Sequence, residues 1–383
     1  MTTNHPSNTD PASAPLVITQ RTPGGLGLIT LNRPKALNAL SLQMIRLLTD
    51  ALRGWQHDAG IHAVAIRGMG KAGKGFAPFG AFCAGGDIRF FHQAALAGDE
   101  ALGDFFTEEY ALNHLIHTYG KPYIAFMDGI VMGGGMGLSQ GASLRVVTER
   151  TKMAMPETRI GLFPDVGGGW FLSRTPGHVG EWLALTGHVL KGDEAVPARL
   201  ADGCVASAEL PALWQHLADT AWDSGAAVQR WVAAHFAAGG ADQIGDRAQI
   251  DHYFSLPSMP AIIAALEASS AEWARQTAEE LRTRSPLMLH VTLEQIRRAR
   301  HMALADELRM ERDLVYHCFH QRAGADSETV EGIRALAVDK DHAPRWNPAR
   351  IEDITPEMVA RFFVSPWAPK GHPLAGLGAS SGA

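Results

Sequence analysis

The stretch PYIAFMDGIVMGGGMGLS (122–139) decides the fold, because an apolar strand, a glycine-rich turn and the start of a helix follow directly on one another. Its first part, PYIAFMDG (122–129), has the aromatic and apolar content of a buried strand. The glycines at 133–135 let the backbone turn sharply, and free N–H groups at such a turn bind negative charge. A strand that ends in a glycine turn before a helix predicts an α/β core.

Strands and helices alternate on both sides of this stretch. LGLITL (26–31), HAVAIRG (62–68) and LRVVTER (144–150) predict further strands. Between the first two, Ser41 is placed to cap a helix. The apolar residues of that helix keep helical spacing and are Leu42, Ile45, Leu48, Leu52 and Trp55. A second amphipathic helix is predicted over 104–119, so the pattern is that of an α/β protein.

The composition divides the chain into an α/β core over 15–190 and a mostly helical region over 191–365. Alanine-rich, charged segments with helical periodicity predict the C-terminal helices, which cover 259–284, 286–302 and 327–339. The two ends are rich in small residues and proline. We therefore expect 1–14 to be a disordered N-terminus and 366–383 a flexible tail.

Charge and cysteine content exclude several classes of function. The net charge is -6 and no lysine- or arginine-rich face stands out, so a nucleic-acid partner is not expected. The chain lacks an apolar run of about 18 residues, so a membrane partner is not expected either. The first residues resemble neither a signal peptide nor a transit peptide, and three widely spaced cysteines fit a reducing compartment. We expect a cytoplasmic protein without a metal site.

GMGKAGKG (68–75) nearly matches the phosphate-binding P-loop, but Gly75 stands where Ser or Thr should hold magnesium. The residues that follow, GFAPFGAF (75–82), cannot begin the helix that the motif requires. The segment is therefore predicted to be a flexible loop.

GLSQG (137–141) matches the nucleophile elbow of serine hydrolases, which needs its serine at a sharp turn. The glycines that make the turn come earlier, at 133–135, so Ser139 is expected inside the following helix. A histidine such as His178 or His188 could complete a triad, but a chain with 17 histidines offers such partners easily. A serine triad is therefore a weak prediction.

Two glycine segments and two acids remain as candidates for chemistry. FCAGGD (82–87) and GIVMGGGMG (129–137) each place glycines after an apolar segment, and two converging N–H groups would form an oxyanion hole. MAMPETRIGLFPDVGGGW (153–170) places Glu157 and Asp165 among apolar residues. An unpaired charge is costly there, so these acids are either paired or used chemically.

Together these motifs resemble the crotonase, or enoyl-CoA hydratase/isomerase, superfamily, and in particular its 3-hydroxyisobutyryl-CoA hydrolase branch. The segments that carry the resemblance are LNRPKALNAL (31–40), AFCAGGDIR (81–89), GIVMGGGMGLS (129–139) and MPETRIGLFPDVGGGWFLSR (155–174). The resemblance covers roughly residues 17–363. It implies a spiral of ββα units with a C-terminal helical region. It also implies an acyl-CoA thioester whose carbonyl oxygen lies between the N–H groups of Gly86 and Gly134.

The carboxylates distinguish the reactions of this superfamily. Its hydratases carry one glutamate in the helix after the glycine turn and a second at the position matching Glu157, but here the first position is Gly137. Asp165 occupies a position that is usually glycine in the hydratases and acidic in the hydrolases. The resemblance therefore implies Glu157 and Asp165 as the catalytic pair of a thioester hydrolase. It also implies that Glu109, in TEEY, lines the acyl pocket.

The resemblance places coenzyme A contacts on the early turn RPKALN (33–38). Lys35 would meet phosphate, the backbone of Ala36 and Leu37 would contact adenine, and Ala84 would contact the substrate. Coenzyme A belongs to the substrate, so no separate cofactor is expected. Trimers and hexamers are common in the superfamily, and a homo-oligomer is expected.

The sequence favours the first of three functions and leaves the other two as alternatives. The first is hydrolysis of 3-hydroxyisobutyryl-CoA or a similar short 3-hydroxyacyl-CoA, which releases free CoA and the hydroxy acid as in valine breakdown. The second is an enoyl-CoA isomerase or hydratase, because a lone acid at Glu157 can move a proton along a polarised acyl chain. The third is a non-catalytic protein that binds CoA or assists assembly.

Overall fold

The computed structural model describes residues 14–72, 75–237 and 244–379. The predicted disorder of the N-terminus falls on residues that lie outside these ranges, except for residue 14. The centre of the predicted loop at 68–75 and the last four residues of the predicted tail also lie outside them. None of the helices in the described ranges is long and apolar enough to cross a membrane.

The described strands belong to a large sheet and a small one. The large sheet contains β1 (Val17–Arg21), β2 (Leu26–Leu31), β3 (Ala63–Ala72), β4 (Gly75–Gly80), β5 (Tyr123–Met127), β7 (Leu144–Val147) and β10 (Gly203–Cys204). The small sheet contains β6 (Ile130–Met132), β8 (Lys152–Ala154) and β9 (Leu190–Lys191). In the large sheet the order is β1-β2-β3-β5-β7-β10, and β4 pairs with β3.

A repeat of two strands and a helical turn generates the fold. β5 lies in the large sheet, β6 in the small sheet, and a helix follows; β7 and β8 repeat the same division. β2, β3, β5, β7 and β10 run parallel, whereas β1 pairs antiparallel with β2. This confirms the predicted α/β fold built from ββα units.

Helices cover both sheets and form most of the C-terminal region. They are α1 (Leu42–Gln56), α2 (Ile88–Ala97), α3 (Ala101–His117), α4 (Gly134–Gln140), α5 (Gly168–Leu172), α6 (Val179–Thr186), α7 (Leu210–Asp219), α8 (Gly225–Ala233), α9 (Arg247–Phe254), α10 (Met259–Ala268), α11 (Glu272–Arg282), α12 (Pro286–Ala299), α13 (Leu304–His320), α14 (Glu328–Ile333) and α15 (Pro356–Ala360). As predicted, the Ser41 side chain caps α1 by accepting a hydrogen bond from the N–H of Met44 at 3.3 Å.

Both faces of β2 and β5 in the large sheet are buried, which explains why these two strands are largely apolar. In β2, Leu26 and Leu28 join one apolar cluster, whereas Ile29 and Leu31 join the other. The first cluster is closed by α7 and α8, and the second by the helices that surround the site. A strand exposed on one face would alternate apolar with polar residues instead.

The segment around residues 68–75 is predicted to be a flexible loop. Its described residues instead belong to two antiparallel strands, β3 and β4. β3 continues to Ala72, and its residue Lys71 pairs with Phe76 of β4. A methyl group at Gly70 would lie 2.2 Å from the carbonyl oxygen of Phe79, so glycine is required for this close pairing. Gly70 therefore permits the close contact between the two strands.

Two predicted boundaries differ from the structure. The large sheet continues past residue 190, because β10 pairs with β7 through Gly203 and Val146. The tail after residue 365 packs onto α13 as far as the chain is described: the Trp367 and Tyr316 rings lie 5.0 Å apart, and Leu374 is buried. The Trp367 indole and the Leu374 side chain bury apolar surface. They stand among small residues, so the composition of the segment did not indicate that it packs.

Candidate active site

A cavity of about 610 Å³ opens between the sheets and the C-terminal helices. Apolar side chains form much of its wall, among them Ile88, Phe91, Phe106, Met132, Ile160, Leu162, Val166 and Leu336. The same cavity is lined by Ala84, Gly86, Glu109, Gly134, Glu157 and Asp165. Six of the predicted site residues, from four separate segments of the chain, therefore meet here. An apolar cleft with a few convergent polar groups is the usual form of a small-molecule site.

Backbone bridges bring the two glycine segments together. Cys83 bridges to Val131, and Leu40 bridges to Gly86. In the second bridge Leu40 donates to the carbonyl of Gly85 at 2.8 Å, and Asp87 donates to the carbonyl of Leu40 at 3.0 Å. These two bonds use the carbonyl of Gly85 and the N–H of Asp87. The N–H of Gly86 itself is not used and points away from Leu40.

The second glycine segment begins α4. Gly133 has a φ of +48°, in the left-handed region that glycine tolerates, and the helix begins at the next residue. The N–H of Gly134 is therefore among the first N–H groups of the helix, which have no partner inside it. A methyl group at Gly85 would lie 3.7 Å from the nitrogen of Gly134, so the two segments are in contact. Two N–H groups so placed can stabilise an oxyanion.

Three acids lie beside the glycines, each brought there by a different element. Glu109 lies on α3, Glu157 begins a 3-10 turn after β8, and Asp165 lies in the turn before α5. Their residues are 2%, 7% and 6% exposed, respectively. Carboxylates are rarely buried this deeply without a cationic partner, and no salt bridge forms to any of the three within the described ranges.

The carboxyl groups touch the glycine turn. A methyl group at Gly133 would lie 2.9 Å from Oε1 of Glu157, and one at Gly134 would lie 2.5 Å from Oε1 of Glu109. Among the described residues, neither Oε2 of Glu157 nor Oε1 of Glu109 has a hydrogen-bond partner. Oδ2 of Asp165 accepts a hydrogen bond from the Tyr110 hydroxyl at 2.8 Å. Buried carboxyl oxygens without a hydrogen-bond partner are uncommon in proteins, so these oxygens are candidates for contact with a ligand in the cavity.

Burial raises the pKa of all three acids. It raises the pKa of Asp165 to about 6, although the hydrogen bond from Tyr110 opposes the shift. Burial, with the nearby Asp165, holds the pKa of Glu157 well above its ordinary value. Burial also raises the pKa of Glu109, with further contributions from Asp165 and Glu157. Groups that hold a proton near neutral pH are suited to proton transfer.

The position where the superfamily's hydratases carry their first glutamate is closed. A side chain at Gly137 would begin 2.7 Å from Cβ of Val166 and 2.8 Å from Nδ2 of Asn113. Both neighbours are buried, so there is no open space for a carboxylate at this position. The candidates for the catalytic acids are therefore Glu157 and Asp165.

The predicted CoA contacts divide between the cavity and its surroundings. Ala84 lines the cavity, and its N–H donates to the carbonyl of Leu37 at 3.0 Å. Lys35 and Ala36 lie on the same short 3-10 turn as Leu37, and none of the three lines the cavity. Lys35 is exposed, and Leu37 is 40% exposed. This turn therefore lies beside the cavity and is reachable by a ligand that extends out of it.

The sequence arguments missed three residues of this site. Tyr110 follows Glu109 directly and holds Asp165, so its place in TEEY was the available signal. Arg159 and Lys191 line the cavity and are exposed, so they supply positive charge there. Arg159 lies two residues after Glu157 in a motif whose acids drew the attention, and Lys191 lies in a segment without a motif of its own. No group of His, Cys, Asp and Glu side chains within the described ranges is arranged to hold a metal ion.

The serine of GLSQG is not placed as a nucleophile. Ser139 lies inside α4, is fully buried, and donates to the carbonyl of Gly135 at 2.9 Å. His178 instead lies 3.1 Å from Oε1 of Glu181, at the start of α6. The prediction that Ser139 falls inside a helix is confirmed.

Comparison with known proteins covers nearly the whole chain. A sequence model of the family described as "Enoyl-CoA hydratase/isomerase" matches residues 26–363. A protein named "3-hydroxyisobutyryl-CoA hydrolase, mitochondrial" from Xenopus tropicalis is 43% identical over 89% of this chain and 87% of its own length. "Probable 3-hydroxyisobutyryl-CoA hydrolase 3" from Arabidopsis thaliana is 38% identical over 88% of each chain.

Solved structures share the fold. A carnitinyl-CoA dehydratase from Mycobacterium thermoresistibile superposes with a TM-score of 0.81 at 37% identity, over 91% of this chain and 96% of that one. An enoyl-CoA hydratase from Rhodobacter sphaeroides 2.4.1 superposes with a TM-score of 0.80 at 35% identity, over 94% of this chain and 99% of that one.

Proposed function

The chain belongs to the enoyl-CoA hydratase/isomerase family, and we propose that it hydrolyses the thioester of 3-hydroxyisobutyryl-CoA or a similar short 3-hydroxyacyl-CoA. The products are free CoA and the hydroxy acid, a step of valine breakdown. The observation that carries the proposal is the pair Glu157 and Asp165 on one cavity wall, while Gly137 leaves no space for a hydratase glutamate. Relatives named as 3-hydroxyisobutyryl-CoA hydrolases support it.

The glycine segments would polarise the thioester. The carbonyl oxygen lies between the N–H groups of Gly86 and Gly134 and gains negative charge as the carbonyl carbon is attacked. Their position on the cavity wall supports this role. The same hole would stabilise an enolate equally well, so it does not select the reaction.

The acids would select hydrolysis. Either the Glu157 carboxylate attacks the carbonyl carbon, and water later cleaves the resulting anhydride, or Glu157 removes a proton from a water that attacks directly. In both routes a C–O bond forms and the C–S bond breaks, and the CoA thiolate leaves and is protonated. Asp165, with a pKa of about 6, assists the proton transfer. Glu109 accepts a hydrogen bond from the 3-hydroxyl group of the substrate.

Coenzyme A would extend from the cavity past Ala84. Arg159 and Lys191 at the cavity offer charge for the phosphates, and Lys35 with the backbone of Ala36 and Leu37 offers a further contact outside it. The chemistry uses side chains and backbone alone, so we propose that no separate cofactor is needed. Activity retained after dialysis against EDTA would support this.

A second candidate is enoyl-CoA hydration or isomerisation. The two superposed structures bear the names of a dehydratase and a hydratase at 35–37% identity, which favours testing this reaction. A single acid at Glu157 could move a proton along an acyl chain whose carbonyl is polarised. Asp165 would then have no defined role.

The deciding experiment measures thiol release from 3-hydroxyisobutyryl-CoA and hydration of crotonyl-CoA by the wild type, Glu157→Gln, Asp165→Asn and Ser139→Ala. Hydrolysis predicts that thiol release dominates and that it falls sharply in both carboxylate variants, with residual activity of Asp165→Asn still measurable. Ser139→Ala, which changes a helix-buried hydroxyl, should keep activity within about 3-fold, since the expected loss is one local hydrogen bond. Dominant hydration would reject the proposal.

We propose a cytoplasmic location on the grounds of three free cysteines, which fit a reducing compartment. The vertebrate relatives carry "mitochondrial" in their names, so fractionation with a matrix marker is the relevant test. We also propose a homo-oligomer, a trimer or a hexamer, on the basis of the family. Light scattering would show a mass near 41.2 kDa if the protein is instead a monomer.

A further inference from the structure

The turn that carries Asp165 is held from behind by two C-terminal helices. α12 contributes Gln295, and α13 contributes Glu307 and Glu311. All three side chains are completely buried, yet none of them lines the cavity. Burying two carboxyl groups is costly, and burial raises the pKa of Glu307 to about 7 and that of Glu311 well above its ordinary value.

The contacts of these side chains bracket Asp165 on both sides. Oε2 of Glu311 accepts from the N–H of Gly167 at 2.8 Å, and Oε1 accepts from the N–H of Gly169 at 3.1 Å. Gln295 donates to the carbonyl of Pro164 at 2.8 Å and to Oε1 of Glu311 at 3.1 Å. The backbone is therefore fixed immediately before Asp165 and shortly after it.

The backbone between these anchors is strained. Val166 has a φ of +59°, which is rare for a β-branched residue because its Cβ crowds the backbone. Such a conformation persists only when its surroundings impose it. The bond from Gly167 to Glu311 comes directly after the strained residue, so Glu311 is the group placed to impose it.

Glycine is needed for the carboxyl groups to approach. A methyl group at Gly169 would lie 2.3 Å from Oε1 of Glu307 and 3.0 Å from Nε2 of Gln295. The glycine run after Asp165 therefore serves the contact with α12 and α13 as well as the turn itself. A turn alone does not require buried carboxyl groups packed against it. Their presence here fits a role in orienting Asp165.

We propose that Glu311 is a positioning residue for the reaction, which holds the Asp165 carboxyl group at the cavity through the N–H groups of Gly167 and Gly169. Gln295 supports it from the other side of the turn. Glu311 itself touches no substrate. The inference rests on the proposed hydrolase, because Asp165 must have a chemical role for its position to matter.

The test compares Glu311→Gln with the wild type and with Glu328→Gln. Glutamine keeps the size of the side chain but faces one of the two glycine N–H groups with an amide that donates. Glu328 is the matched control: it is a buried glutamate that accepts from the Ser285 hydroxyl and from the N–H of Asn347, away from the cavity. Thermal unfolding of each variant is measured alongside thiol release.

Glu311→Gln should lower kcat by about 10- to 100-fold and change KM by less than about 3-fold, because a displaced catalytic group slows chemistry more than binding. The same substitution in an Asp165→Asn background should lower kcat no further, since the group it positions is already disabled. Glu328→Gln should leave kcat within about 3-fold in either background. Equal losses from Glu311→Gln in both backgrounds, or no loss in either, would overturn the proposal.

Gln295→Met is the second variant, for the case in which Glu311→Gln does not fold. It removes the bond to Pro164 and should lower kcat only when Asp165 is present; an equal effect in both backgrounds again overturns the proposal. Absence of thiol release by the folded wild type rejects the proposed hydrolase itself, and this inference with it. A hydrolytic wild type with an unchanged Glu311→Gln variant rejects the positioning role alone.

Discussion

The cavity lining contains two kinds of groups, which we call the backbone wall and the acid wall. The backbone wall consists of Gly86 and Gly134, which line the cavity with main-chain atoms alone. The other wall presents Glu109, Glu157 and Asp165, buried and with raised pKa values. In the proposed reaction the neutral backbone wall would polarise the thioester carbonyl, whereas the acid wall would donate or accept a proton or attack the carbonyl carbon.

This difference separates what the family shares from what distinguishes its members. A hole made of N–H groups stabilises an oxyanion whatever reaction forms it. The pattern of acids decides whether water adds to a double bond or to the carbonyl carbon. Here the closed space at Gly137 and the carboxyl group of Asp165 both favour attack on the carbonyl.

The largest effect is expected from breaking the acid wall at Glu157. Glu157→Gln removes the nucleophile or base and should lower kcat for thiol release by about 10³-fold or more. Steady-state thiol release measures it. Glu328→Gln, at a buried glutamate that does not line the cavity, is the control. A Glu157→Gln variant within 10-fold of the wild type would remove Glu157 from the mechanism.

The second-largest effect on activity is expected from adding a side chain to the backbone wall at Gly134. Gly134→Ala places a methyl group 2.5 Å from Oε1 of Glu109 and 3.0 Å from Cδ1 of Leu40, so the Glu109 carboxyl group or the turn must shift. A shift of this size should lower kcat/KM by about 10²-fold. Gly54→Ala is the control, because nothing lies within 4 Å of its added methyl group. Equal activity of the two variants would show that the position of Gly134 is unimportant.

Burial of Asp165 in the acid wall should lower the free energy of unfolding at pH 8. Folding raises the pKa of Asp165 from 3.8 to about 6, so the stabilisation from this carboxyl is fully present below pH 4 and is lost as pH rises through 6. At pH 8, Asp165→Asn should therefore stabilise the protein by about 1–3 kcal/mol. The gain should vanish at pH 4. Urea unfolding at both pH values measures it, and a loss of stability at pH 8 would contradict the burial argument.

The smallest effect should come from Tyr110. Its hydrogen bond lowers the pKa of Asp165, so Tyr110→Phe raises that pKa and moves the acid limb of the kcat profile to higher pH. We expect about a 10-fold loss at pH 6 and less than about 3-fold at pH 8, as for one hydrogen bond to a charged group. Tyr253→Phe, whose hydroxyl bonds to Ser269 at 2.8 Å, is the control. An unshifted limb in Tyr110→Phe would show that Asp165 does not set it.

The sequence predicted the elements whose signals are local. The strand at 26–31 has the predicted bounds, and Ser41 caps its helix, because alternation, apolar content and capping act within a few residues. The two glycine segments and the acids of the cavity were also found, because their motifs recur across a family. These signals need no knowledge of distant contacts.

The parts that escaped prediction depend on contacts between distant residues. The segment of the β3–β4 hairpin is predicted from sequence as a flexible loop, because it fails the P-loop motif and nothing local indicates that its two halves pair. Glu311 and Gly167 are 144 positions apart in the chain, and nothing in the sequence around either residue indicates their contact. The tail packs because Trp367 meets α13, a contact that its small neighbours do not suggest. Single-sequence patterns cannot carry such information.

The most direct test of the acid wall is a competition between the two reactions in one tube. Equal concentrations of 3-hydroxyisobutyryl-CoA and crotonyl-CoA are given to the enzyme, and mass spectrometry follows free CoA and 3-hydroxybutyryl-CoA at early times. The account predicts free CoA in at least about 10²-fold excess, because the closed position at Gly137 removes one acid of the hydratase pair. Hydration as fast as thioester cleavage would contradict the claim that Glu157 and Asp165 select hydrolysis.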